Sequence, residues 1–108
     1  MGTVLVTERD NIGVVVIEVS GDIDPAAAAQ LRSALVRTLR HTDPTRVVID
    51  LRAAGHIEPE GIGAVVAGVD VAADSGISMT VRHAAPAVAE ELLVAGLPRS
   101  VVTPAARV

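Results

Sequence analysis

Residues 47–63 read VVIDLRAAGHIEPEGIG. Val47 to Leu51 is β-branched and aliphatic apart from Asp50. Such a run suits a strand buried on both faces, at the centre of a parallel sheet. From Ile62 onward the period changes. Ile62, Val65, Val66, Val69 and Ala73 fall on one stripe of a helix. The stretch is therefore a strand, a junction and a helix, the repeating unit of an α/β fold. The junction itself, Ile57-Glu58-Pro59-Glu60-Gly61, holds two carboxylates and no hydroxyl, thiol or lysine.

The same alternation extends in both directions. Upstream, Thr3–Arg9 suits an edge strand, Asp10–Gly13 supplies turn residues, and Val14–Val19 is a second β-branched run, so the two form a hairpin. Ser20–Ile23 reads as a loop. Asp24 before Pro25 is an N-cap followed by proline at the first helical position. That helix runs to about Arg40, with Leu31, Leu35 and Leu39 flanked by Ala27 and Ala34 on one face, and Asp43-Pro44 breaks the chain after it. Downstream, Gly76 stops the second helix and Ile77–Arg82 is another strand. Pro86 opens a third helix carrying Val88, Leu92 and Leu93, which ends near Gly96, and Val101-Val102 makes a short last strand. The expectation is one α/β domain over residues 1–108, with its core in 3–102 and a frayed tail in 103–108. Its sheet is mixed and four- to five-stranded, with about three helices packed mainly on one face.

Composition narrows the chemistry. With 108 residues, 50% hydrophobic and no aromatic residue, the core must be built from Val, Ile, Leu and Ala. The absence of cysteine excludes disulfides, thiol catalysis and thiolate metal sites. A net charge of −4 and scattered arginines disfavour a phosphate backbone, and no aromatic is present to stack on bases, so no direct nucleic-acid partner is expected. The start MGTVLVTERD lacks the pattern of a signal peptide, and no apolar run approaches the ~18–20 residues of a membrane span. A cytoplasmic protein without membrane insertion is the expectation.

Several residues then recur as a set. Ser20-Gly21-Asp22-Ile23-Asp24, the helix with Leu31-Arg32, the run Val47–Leu51 and the junction ending in Gly61-Ile62-Gly63 together resemble the STAS domain. More narrowly, they resemble the bacterial anti-sigma-factor antagonists. The resemblance spans roughly Val4 to Val102 and includes Ala95-Gly96-Leu97 at the end of the third helix. The final helix usual in that family is expected to be missing, since six residues follow Val102. The family's switch is a serine in an Asp-Ser-Ser-Gly motif opening the second helix, phosphorylated by an anti-sigma factor that is also a serine kinase. In this sequence the Asp falls on Glu58, the first Ser on Pro59, the phosphorylated Ser on Glu60 and the Gly on Gly61. The resemblance thus implies an anti-sigma factor or related kinase as partner. It also implies a contact surface of Asp22, Asp24, Glu58, Glu60, Gly61 and Ile62, with Glu60 a phosphosite equivalent that cannot be phosphorylated.

Each of these residues also has a plainer role. A glutamate in the first helical turn is favoured by the helix dipole, by about 0.3–1 kcal/mol, without any signalling meaning. It carries one charge and two acceptor oxygens, where a phosphoserine carries about −1.5 to −2 charges and three. Asp24 is explained as an N-cap, which leaves Asp22 as the freer candidate for a partner contact. His56 with Glu58 and Glu60 falls short of a metal site, because His41 and His83 sit in other segments. Gly61-Ile62-Gly63 resembles a dinucleotide loop, but Val66 stands where a third small residue is needed. No serine lies in a nucleophile elbow, and Glu58 with Glu60 is the sole carboxylate pair at the junction. No catalytic residue, cofactor or metal is assigned. A constitutive scaffold in another signalling or transport assembly and a small-ligand or nucleotide sensor are the other readings. Oligomeric state is left open, with a homodimer among the options.

Overall fold

The computed structural model describes residues 2–9 and 13–104. Its strands are β1 (Thr3–Arg9), β2 (Val14–Ile23), β3 (Arg46–Asp50), β4 (Ala54–Ile57), β5 (Ser78–Ala84) and β6 (Val102–Pro104). The helices are α1 (Pro25–His41), α2 (Pro59–Asp74) and α3 (Pro86–Val94). Residues 10–12 of the turn expected at 10–13, and 105–108 of the tail expected at 103–108, lie outside the described residues, while Thr103 and Pro104 belong to β6 rather than to a frayed tail.

One mixed sheet runs β1-β2-β3-β5-β6, with β4 paired to β2 beside β3. Only the β1–β2 pair is antiparallel; the others are parallel. The expected α/β architecture stands, with six strands rather than four or five. The additional strand is β4, and its formation also lengthens β2. Ser20–Ile23, expected as a loop, continues β2 because β4 offers it a partner, with Gly21 opposite Ala54 and Ile23 opposite Ile57. The last strand begins at Val102, one residue later than expected.

Strand alternation sorts the side chains. Val15, Ile17 and Val19 of β2, Val47 and Ile49 of β3, and Met79 and Val81 of β5 point into one core. All three helices pack against that face. Ala27, Ala28, Leu31 and Leu35 come from α1, Ala64, Val65 and Ala72 from α2, and Val88, Ala89 and Leu92 from α3. On the reverse face Thr7, Val16, Val48 and Thr80 form one cross-strand row, and Val16 and Val48 are buried within it. The next row holds Glu18, Asp50 and Arg82 in register.

Each helix begins where the sequence places a proline in its first turn. Asp24 caps α1, its Oδ1 accepting the Ala27 N–H at 2.8 Å. Gly76 at φ +73° and Gly96 at φ +111° follow the ends of α2 and α3, where a left-handed residue stops a helix.

Candidate functional site

The carboxyl ends of β2 and β4 and the start of α2 meet along the rim at one end of the sheet, an edge formed by strand ends and not by an edge strand. Glu58 donates its backbone N–H to the Ile23 carbonyl at 3.0 Å, which ties the α2 junction to the end of β2. Gly61 is buried against the same place. A Cβ on Gly61 would stand 2.6 Å from Ile23 Cγ2 and 2.9 Å from Ile57 Cγ1, so a glycine is required for α2 to sit this close. Glu58 is the N-cap residue of α2 but makes no side-chain cap bond. Its carbonyl accepts the Gly61 and Ile62 N–H groups at 2.8 and 3.1 Å. Pro59 has no N–H to offer. Glu60, in the first turn, is exposed, as are Glu58 and Pro59.

Asp22 and Asp24 flank Ile23, so four carboxylates border the Ile23–Gly61 contact. Two of the four have structural bonds. Asp24 is half-buried and engaged as the α1 cap. Asp22, the residue expected to be freer, accepts the His56 N–H on Oδ1 at 3.0 Å and so pins β4 to β2. Its side chain remains exposed. Ile62 is half-buried and lines a groove of about 520 Å³ with Ala87, Glu90, Glu91, Val94 and Ala95 of the α3 region. Five of the six expected residues therefore gather at one edge, and Ile62 joins that edge to α3.

A second polar cluster escaped the sequence reading. At the ends of β3 and β5, Asp50 accepts the Arg52 N–H at 2.9 Å and Arg82 Nε at 3.1 Å. Arg52 Nη2 lies 2.9 Å from His83 Nε2. Burial alone pushes the Asp50 carboxyl up. The hydrogen bonds from Arg52 and Arg82 and the positive charge of Arg82 outweigh it, with a smaller electrostatic contribution from His83, and the net shift is below the ordinary carboxylate value. His83 has φ +59°, a left-handed conformation uncommon outside glycine. The sequence shows each residue on its own strand, and only the register of Val48-Ile49-Asp50 with Thr80-Val81-Arg82 puts the two charges side by side. Among the described residues no group of three His, Cys, Asp or Glu side chains is placed to hold a metal ion. No helix among them is long and apolar enough to cross a membrane.

The family model described as "Mlab, STAS domain" matches residues 6–103. The chain belongs to the STAS domain family. Among solved structures, an anti-sigma factor antagonist from Mycobacterium paratuberculosis is 27% identical with a TM-score of 0.76, the match covering 96% of this chain and 86% of that one. The anti-sigma factor antagonist SpoIIAA in its unphosphorylated form is 17% identical with a TM-score of 0.81, covering 97% and 90%. A sulfate transporter family protein from Wolinella succinogenes is 18% identical with a TM-score of 0.73, covering 89% and 80%. No curated protein matches the chain by sequence. The STAS chain thus shares the fold of anti-sigma-factor antagonists and equally of a transporter-associated domain. Members of the family are generally non-enzymatic binding modules.

Proposed function

We propose that this STAS domain is a non-enzymatic, cytoplasmic protein-binding module of the antagonist type, which engages an anti-sigma factor or related serine kinase in transcription control. The contact surface is the edge formed by Asp22, Asp24, Glu58, Glu60, Gly61 and Ile62. The observation that carries the reading is Glu60: an exposed carboxylate in the first turn of α2, at the position the resemblance gives to a switch serine. A glutamate there offers no hydroxyl to a serine kinase, so binding through this edge is constitutive with respect to that position. Acidic side chains around it complement a basic partner surface and speed encounter.

Likeness to the sulfate-transporter domain favours a second reading, in which the domain is a fixed subunit of a transport assembly. Co-purification from the native host separates the two. The chain is recovered once unaltered and once as Pro59→Ser with Glu60→Ser, and bound proteins and phosphorylation are read by mass spectrometry. The antagonist reading expects a kinase-like anti-sigma factor with the unaltered chain. Recovery only with the serine form makes Glu60 a lock that mimics phosphate. Recovery of transporter components with both forms supports the second reading and overturns the first.

A further inference from the structure

Two helical surfaces are complementary in charge, the second of them adjoining the candidate site through the groove that Ile62 lines. The first is a groove of about 280 Å³ along the seam of α1 and α2. Leu35, Leu39, Ala64, Ala67 and Gly68 line it, with Val36 and Val71 at its lips, 44% and 51% exposed. Arg32 and Arg40 stand on its α1 side, eight residues or about 12 Å apart along the axis. Helix α1 contains no acidic residue, and among the described residues neither arginine has an ion-pair partner. The carboxylates of α2, at Glu60, Asp70 and Asp74, do not line the groove.

The second surface is the outer face of α3, which contains no basic residue. Val94 is 83% exposed, and Ala87, two turns earlier, is exposed on the same line. At about 100° per residue, Val94 lies between Glu90 and Glu91 in projection, roughly 40° from one and 60° from the other. The face carries an apolar ridge about 10 Å long with a carboxylate on each flank, and it forms the α3 wall of the groove that Ile62 also lines. Whichever way such a helix runs in the α1–α2 groove, one carboxylate faces the arginines.

We propose that a second copy of this chain seats its α3 ridge, Ala87 and Val94 flanked by Glu90 and Glu91, in the α1–α2 groove of the first. Groove and ridge are different surfaces, so each contact is heterologous. Two contacts related by a two-fold axis close a dimer, and otherwise the chain of copies extends. A molecule of net charge −4 repels its own kind in general. Association therefore depends on the local arginine–glutamate pairing and weakens with salt.

Sedimentation velocity of the full chain, from micromolar to millimolar concentration at low and high salt, tests this. The wild type is expected to self-associate, less at high salt. R32E/R40E and E90R/E91R should each weaken association by about tenfold or more. Their equimolar mixture should regain it, because one variant brings an intact acidic ridge and the other an intact basic groove. R37E, on the flank of α1 that faces β1, should behave as wild type. Circular dichroism checks that each exposed-site variant keeps its fold. A wild type that stays monomeric throughout overturns the proposal and leaves the groove to another occupant. So does association that the charge reversals leave intact, or a mixture that fails to recover it.

Discussion

Glu60 and Asp24 are both acids at helix starts, and their surroundings give them different work. Asp24 closes a bond to the Ala27 N–H, while Glu60 faces solvent from the first turn of α2. Asp24→Ala should therefore cost about 0.5–2 kcal/mol, the range for lost N-caps. Thermal unfolding followed by circular dichroism should show a drop of several degrees, whereas Glu60→Ala, which loses only a dipole interaction of about 0.3–1 kcal/mol, should lower the midpoint less. Asp50 behaves differently because its partners act on its charge. Its folded-state carboxyl titrates below the ordinary value of 3.8, so its contribution is complete at neutral pH and is lost as the pH falls through that lowered value. Asp50→Asn should be less stable than wild type at pH 7, with the gap closing as the pH drops below about 4. A constant gap across that range would mean that the carboxylate charge is not what Arg82 and Arg52 hold.

Helix α2 sets the geometry of the candidate site through its glycines. Gly61 is wedged between Ile23 and Ile57, so Gly61→Ala should overpack the junction and cost about 1–3 kcal/mol. Gly63, two residues on, has nothing within 4 Å of an added Cβ and is exposed. Gly63→Ala should stabilise by up to about 1 kcal/mol, the helix-propensity difference between the two residues. Denaturant titration of both variants measures the opposite signs. The elements legible in the sequence were those with local signals. Val14–Val19 and Val47–Ile49 declared themselves by β-branching, and Pro25, Pro59 and Pro86 by marking helix starts. Strand β4 had no such signal. Ala54-Gly55-His56-Ile57 is a poor strand by composition, and it exists because Asp22 and the end of β2 bind it from more than thirty residues away. The same long-range bond changed the reading of Asp22, which looked free in sequence. The Asp50–Arg82 pair was hidden for a related reason: register between strands is not printed in either strand alone.

Across the whole molecule, a core without a single aromatic ring must derive its stability from many small aliphatic contacts. Ile17, Leu31, Ile49 and Leu92 are fully buried at its centre. Ile49→Ala should remove about 2–5 kcal/mol, a large share of the roughly 5–15 kcal/mol typical of a folded domain. Equilibrium urea unfolding by far-UV circular dichroism should place its midpoint well below that of the wild type. This aliphatic scaffold presents the acidic edge at one end and the α1–α2 groove on its helical side, and the groove shares no residue with the edge, so reversing Arg32 and Arg40 separates binding a second copy from binding a partner. The central claim is that the acidic edge binds its partner without a phosphorylation switch at position 60. Calorimetric titration of the chain with the anti-sigma factor recovered by co-purification, with and without ATP and magnesium, tests it most directly. The account predicts one affinity for the wild type under both conditions, and for the Pro59→Ser, Glu60→Ser variant a loss of about tenfold or more once ATP is present. ATP-dependent loss of binding by the wild type itself would contradict it.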